Sequence, residues 1–261
     1  MHKIGLALSG GGTRGIVHVG VLKALEENGI HPSIISGTSA GSIVGAMYAH
    51  GYSPAEMMTI AGQRSLLWMF SLHLPSKGLA RHNFLRKMLT RYVTEKSFEE
   101  LSKPLYVAIA NLNTGRVEIK HKGPLHDVII ASSSVPVLYE PIMIDNCWYT
   151  DGGLLMNLPI SPIRALAHYI IAVNLTPRVE LAFEAINTIS GVAGRSFNLA
   201  TINTIEPELK YADMVIEPQE IHSYSKFSFT NIKEMYEIGY RETLKHIEEI
   251  KEALEDIKVK S

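Results

Sequence analysis

The stretch Ile34-Ile35-Ser36-Gly37-Thr38-Ser39-Ala40-Gly41-Ser42-Ile43 decides how the chain is read. An apolar run meets a Gly-x-Ser-x-Gly turn and continues into small and aliphatic residues of helical character, so it predicts a strand, a tight turn and a helix. A serine at the tip of such a turn is pushed out of the backbone with the helix beginning directly behind it. The reversal brings the residues two before and two after the serine together, and only very small residues fit there, as Gly37 and Gly41 do. N–H groups at the helix start are unpaired and the dipole is positive there, which favours an oxyanion beside Ser39. Such a site suits acyl transfer. The plain alternative is an ordinary Gly/Ser strand-to-helix turn, and the pattern alone does not choose between them.

Upstream, Lys3-Ile4-Gly5-Leu6-Ala7-Leu8 reads as a short buried strand, followed by Ser9-Gly10-Gly11-Gly12-Thr13-Arg14-Gly15 and a helical pattern that ends at Gly29. Two strand-loop-helix units in succession predict adjacent parallel strands with both loops at their carboxyl ends, the edge where such sheets bind ligands. Gly10-x-Gly12-x-x-Gly15 also matches the dinucleotide fingerprint. That match needs an acidic residue at the end of the second strand, where this chain has Ser36-Gly37-Thr38-Ser39. The phosphate-loop pattern fails as well, because no Lys-Ser or Lys-Thr pair follows the glycines. Three glycines before a helix can instead present the amides of Gly10, Gly11 and Gly12 to one point, an oxyanion hole facing Ser39. One such donor contributes about 3 kcal/mol to the transition state. Arg14 would add positive charge, fix the loop by hydrogen bonding, or simply lie on the surface.

Further on, the pattern from Tyr52 to Arg91 is mainly helical, with Ser53-Pro54-Ala55-Glu56 as a capped start. Ser65-Leu66-Leu67-Trp68-Met69-Phe70-Ser71-Leu72-His73-Leu74-Pro75 is apolar and uncharged between Arg64 and Lys77. It reads either as buried core or as a lid that touches membranes peripherally through Trp68 and Phe70. Leu105 to Asn111 and Arg116 to Lys120 form a predicted hairpin about Asn113-Thr114-Gly115, and Leu125 to Ser132 a helix. A structured loop with two prolines, Ser132 to Pro141, comes next. Asp151-Gly152-Gly153 follows a strand at Ile142 to Ile144 and the Asp145-Asn146 turn. An aspartate before two glycines reads as a turn with left-handed geometry, or as a carboxylate held where it can take a proton from Ser39. Asn157-Leu158-Pro159 would brace that loop. Tyr169 to Leu175 and Asp213 to Ile216 are further strands, and residues 231–258 a single long amphipathic helix packed on the domain.

With 261 residues, 46% of them hydrophobic, the chain can bury a large core. No repeat or linker divides it, so a single domain over 1–261 is expected. A net charge of −1 argues against nucleic acid as a partner. One cysteine, Cys147, excludes an internal disulfide and a cysteine-based metal site. The apolar run before the glycines is too short for a signal-peptide core, and no uncharged apolar stretch reaches about 18 residues. A cytoplasmic protein, peripheral at the membrane at most, is the expectation.

Taken together, Ser9 to Gly15, Gly37-Thr38-Ser39-Ala40-Gly41, Ser132 to Pro141 and Asp151-Gly152-Gly153 resemble, in order and context, the four blocks of the patatin-like phospholipase family. The resemblance covers roughly the first 160 residues. It implies a three-layer α/β/α sandwich with a central, mostly parallel sheet and a Ser-Asp dyad with no histidine between. On that resemblance Ser39 is the nucleophile, Asp151 the base, and the Gly10 to Gly12 amides with Arg14 the oxyanion hole. Thr13 and Gly15 complete that loop, and Gly152 and Gly153 the aspartate loop. It further implies a lipid or acyl-ester substrate, cleaved without metal or cofactor. Tyr139 stands where many relatives carry phenylalanine. Two other readings remain: an α/β-hydrolase triad of Ser39, Asp151 and one of His168, His222 or His246, and a non-catalytic nucleotide- or lipid-binding module using the glycine loop as an anion nest. A histidine base would give a pH–rate limb around 6.5.

Overall fold

The computed structural model describes residues 2–62, 82–226, 228 and 230–260. Its sheet comprises β1 (Ile4–Leu8), β2 (Ile34–Gly37), β3 (Leu105–Asn111), β4 (Arg116–Lys120), β5 (Ile142–Ile144), β6 (Cys147–Asp151), β7 (Tyr169–Val173) and β8 (Met214–Ile216). Hydrogen-bonded neighbours run β5-β6-β3-β2-β1-β7-β8, and β4 also pairs with β3. The β8-β7-β1-β2-β3 pairings are parallel, whereas β4 and β6 lie antiparallel to β3.

Side-chain alternation along these strands builds the layers. Leu6, Leu8, Ile35, Ile171 and Val173 point to one face, into a core shared with helices α1 (Ile16–Glu27), α2 (Ala40–His50), α3 (Pro54–Ala61), α4 (Asn83–Tyr92) and α5 (Leu125–Ser132). Ala7, Ile34, Ile170 and Ala172 point to the other. That face is covered by Leu158, Ile160, the short helix α6 (Ser161–Arg164) and Ile205 of α7 (Ile189–Leu209). The expected three-layer α/β/α sandwich is the observed fold.

Register explains how distant residues meet. Val107 of β3 pairs with both Gly37 of β2 and Lys120 of β4, and Ile109 pairs with both Asp151 of β6 and Glu118 of β4. A strand has only two edges, so β2 and β6 share the edge of β3 that β4 does not occupy. They run in opposite senses along it, and their carboxyl ends confront each other across Ala108. Leu8 is level with both Gly37 and Val173, so the loops after β1, β2 and β7 leave the sheet at one height.

Two expectations need revision here. The C-terminal region is two helices, α8 (Ile232–Leu244) and α9 (Ile247–Lys260), not one. At the junction the Lys245 and His246 amides turn back to the carbonyls of Glu242 and Thr243, at 3.2 and 3.0 Å. A continuous helix would leave Ile247 and Ile250 outside the core; the change of direction buries both while Leu244 is exposed. The 21-residue helix α7 was not anticipated at all. The segment 65–75, expected as lid or core, lies outside the described residues. No helix among the described residues is long and apolar enough to cross a membrane.

Candidate active site

The turn after β2 is as tight as its glycines require. Ser39 sits at φ 53°, a strained conformation for a residue with a side chain, and heads α2. A Cβ on Gly37 would lie 2.6 Å from the carbonyl of Gly41, closer than two atoms can approach. Neighbouring hydroxyls pin the turn from below: Ser36 Oγ donates to Pro159 O at 2.5 Å and Thr38 Oγ1 to Met156 O at 2.9 Å.

Ser39 lies beside the Asp151 carboxyl, close enough for its hydroxyl to pull the carboxyl's pKa down. Both are buried. Asp151 accepts from the Gly153 amide at 2.7 Å, which fixes its orientation. Burial raises its pKa to about 6, against the opposing pull of the Gly153 hydrogen bond, of the Ser39 hydroxyl and of the charge on Lys226. The glycines beside it are there for space and not, as expected, for left-handed geometry. Neither has a positive φ, and a Cβ on Gly152 would lie 2.2 Å from the Ala108 carbonyl oxygen. Gly152 lets β6 run straight into a 3-10 turn against β3.

The glycine loop does face Ser39, since a Cβ on Gly10 would lie 3.2 Å from that of Ser39. Its amides are not all available, however. Gly10 N–H donates to Asn157 O, Thr13 N–H to Lys226 O and Arg14 N–H to Gly11 O. The N–H groups of Gly11 and Gly12 have no acceptor among the described residues. Gly15 packs on Ala40 at the start of α2. The Arg14 side chain is neither on the surface nor free to reach a ligand. Its guanidinium, buried, donates to the carbonyls of Leu175, His222 and, twice, Tyr224. Of the roles expected for it, fixing the loop is the one seen. Asn157 braces the glycine loop, accepting from Gly10 N–H and donating through Nδ2 to Gly10 O at 3.4 Å, and lies so close to Gly153 that a Cβ there would meet its Oδ1 at 2.8 Å.

Sequence reasoning missed three contributors. Ser132 Oγ accepts from the Ser39 amide at 2.9 Å and donates to Ala108 O at 2.8 Å. Ser134, two residues on, accepts the Asp151 amide on its carbonyl. The third is His18, fully buried, whose Nε2 contacts Ser9 O at 2.8 Å and whose pKa burial pushes down to about 4, so it stays neutral. The histidines of the triad alternative lie elsewhere. His168 Nδ1 accepts from the Lys3 amide, His222 Nδ1 contacts Gln219 O, and His246 is beside Glu242. Among the described residues no histidine is bonded to Ser39 or Asp151.

Against known proteins, the chain matches two fungal sequences over 95% of its length: Lysophospholipase nte1 of Emericella nidulans at 27% identity and that of Aspergillus fumigatus at 29%. It spans only 18% of either relative. Among solved structures, VipD from Legionella pneumophila superposes with a TM-score of 0.63 at 17% identity, over 95% of this chain and 67% of VipD. That likeness concerns the fold. A model of the family described as patatin-like phospholipase matches residues 6–163, which contain the glycine loop, Ser39 and Asp151, and the chain belongs to that family.

Proposed function

We propose that this hydrolase cleaves the acyl ester of a lipid through a Ser39–Asp151 dyad, and that its substrates are lysophospholipids or related esters, in line with the names of its fungal relatives. The observation that carries the reading is the buried Asp151 carboxyl beside Ser39, with no histidine among the described residues bonded to either. Ser39 Oγ attacks the ester carbonyl carbon as Asp151 takes the hydroxyl proton. The carbonyl electrons collect on an oxyanion that the Gly11 and Gly12 amides meet, aided by the N-terminus of α2. Collapse expels the alcohol oxygen, which takes the proton back from Asp151 and leaves an acyl-serine. Water then repeats the cycle: Asp151 accepts its proton as the oxygen attacks, a second oxyanion forms, and its collapse expels Ser39 Oγ, which takes the proton back from Asp151 as the free acid departs.

A carboxylate is a weak base for a hydroxyl, and burial narrows that gap. Lifting Asp151 to about 6 makes it a better proton acceptor while it stays ionised at neutral pH. It must be ionised to act, so kcat/KM should fall as pH drops through about 6. A limb there no longer separates a carboxylate base from a histidine. The separating experiment is a lipid panel assayed with Ser39→Ala, Asp151→Asn and the triple His168, His222 and His246 to Ala variant, with fluorophosphonate labelling of each. Ser39→Ala should be neither active nor labelled. Asp151→Asn should lose about a hundredfold or more, the range of a lost general base. The triple variant should keep most activity; an inactive but folded triple variant would replace the dyad with a triad.

A further inference from the structure

Positive charge exceeds negative beside Ser39. The loop at 222–226 lies across the glycine loop, held by the Arg14 bonds to His222 O and Tyr224 O, by Thr13 Oγ1 donating to Ser225 O at 2.9 Å, and by Thr13 N–H donating to Lys226 O at 3.0 Å. Lys226 is half-buried there, and its Nζ donates to Asn198 Oδ1 of α7 at 2.7 Å. Arg14 is bonded only to carbonyl oxygens and Lys226 only to an amide oxygen, so neither has a carboxylate in salt-bridge contact among the described residues. Arg14 and Asp151 are both close enough to perturb the Lys226 ammonium, Arg14 by repulsion and Asp151 by attraction. Two cations and the Asp151 carboxylate leave one unit of positive charge in this cluster, counted over the described residues. A charge in such a place is costly unless something neutralises it, and none of the described residues does.

We propose that Lys226 is a headgroup-binding residue: its ammonium, held by Asn198, takes the phosphodiester of a phospholipid or lysophospholipid while Ser39 attacks the acyl ester one glycerol unit away. This rests on the dyad reading above. The three donors of an ammonium leave two for phosphate oxygens once Asn198 has one. Glycerol joins ester and phosphate through three carbons, so a lipid whose carbonyl meets the Gly11 and Gly12 amides has its phosphate close by. The strap that carries Lys226 is tied to that same glycine loop by Thr13 and Arg14, which keeps the two recognition points in register. A neutral glyceride offers the ester without the anion.

Because Lys226 also pulls on Asp151, a lost charge alters the rate on every substrate, and the informative quantity is a ratio. The experiment compares kcat/KM on lysophosphatidylcholine and on the monoacylglycerol of the same chain, in mixed micelles of neutral detergent at fixed surface concentration. For Lys226→Met the phospho-to-neutral ratio should fall about tenfold or more, the worth of one charge-assisted hydrogen bond. Lys226→Arg should recover most of it. Burial and Arg14 hold the Lys226 ammonium down at about 8, so the wild-type ratio should decline as pH rises through about 8, and that decline should vanish in Lys226→Met. A ratio unchanged by Lys226→Met would overturn the proposal and leave Lys226 as an aid to Asp151 or to the oxyanion, since either role affects both substrates alike. Hydrolysis of both lipids by Ser39→Ala would overturn the dyad reading instead, an outcome distinct from any behaviour of the ratio.

Discussion

Two parts of the chain build the site by different means. Up to Pro159 the contributors are marked residues: glycines where backbones touch, a serine in a strained turn, an aspartate ending a strand. From Leu175 on, the contributors are mostly main-chain carbonyls, those of Leu175, His222, Tyr224, Ser225 and Lys226, which receive the side chains of Arg14 and Thr13 and the Thr13 amide. The first part supplies the proposed dyad and the second holds it. Chemistry selects residue types, whereas support accepts almost any sequence that offers an oxygen at the right point.

The sharpest way to break that division is at Arg14, where the two parts are bolted together. Arg14→Met removes four hydrogen bonds and orphans three buried or half-buried carbonyls. With bonds to a charged donor, that should cost about 3 kcal/mol in urea unfolding and loosen the glycine loop. Arg14→Lys should recover little, because a single ammonium cannot span carbonyls on both sides of the strap. If Arg14→Met unfolds at the wild-type urea concentration, the second part does not support the first through this residue.

A smaller effect, of opposite sign, separates function from support inside the first part. Burial raises the Asp151 carboxyl from 3.8 to about 6, so the fold favours its protonated form. Its contribution to stability is therefore greatest at acid pH and is lost as pH rises through about 6. At pH 8 Asp151→Asn, which keeps an oxygen for the Gly153 amide, should unfold with about 2 kcal/mol more free energy than wild type. The difference should vanish below about pH 4, where the aspartate is neutral in both states. A destabilised Asp151→Asn would place Asp151 among the supports.

The same division explains what could be read from the residues. Parallel β1 and β2, the turn at Ser39 and the β3-β4 hairpin were legible because glycine spacing and apolar runs reflect backbone contact directly. The resemblance to a family then joined the two ends of the dyad, which no local pattern could have done. The edge of β3 shared by β2 and β6 is a consequence of register, and register is not written in either strand alone. Helix α7 was missed because its apolar residues follow no clean stripe: Ile189 and Val192 are exposed while Ile202 and Ile205 are buried. The break before α9 was missed because the apolar spacing continues across it, although Leu244 and Ile247 serve opposite environments. Lys226 has no signal beyond being one lysine among many.

Ser132 shows the division at its finest scale. It lies in a block that resembles the family, yet it neither reacts nor stands among glycines, and its hydroxyl acts only through the Ser39 amide and the Ala108 carbonyl. Ser39 is the residue in strained backbone, and strain persists only where surrounding bonds hold it. Ser132→Ala removes one of those bonds and leaves the Ser39 N–H buried without its acceptor, at a cost of about 1 kcal/mol in unfolding. If the hydroxyl is a support for the turn, kcat should fall about fivefold, the equivalent of that energy lost at the transition state, with KM within about twofold. The acid limb at about 6 should not move, because the Asp151 carboxyl receives its bond from Gly153 and none from Ser132. A shifted limb would mean that the turn and the carboxylate relax together, and the line between reacting groups and supports would then run inside the Ser39–Asp151 pair.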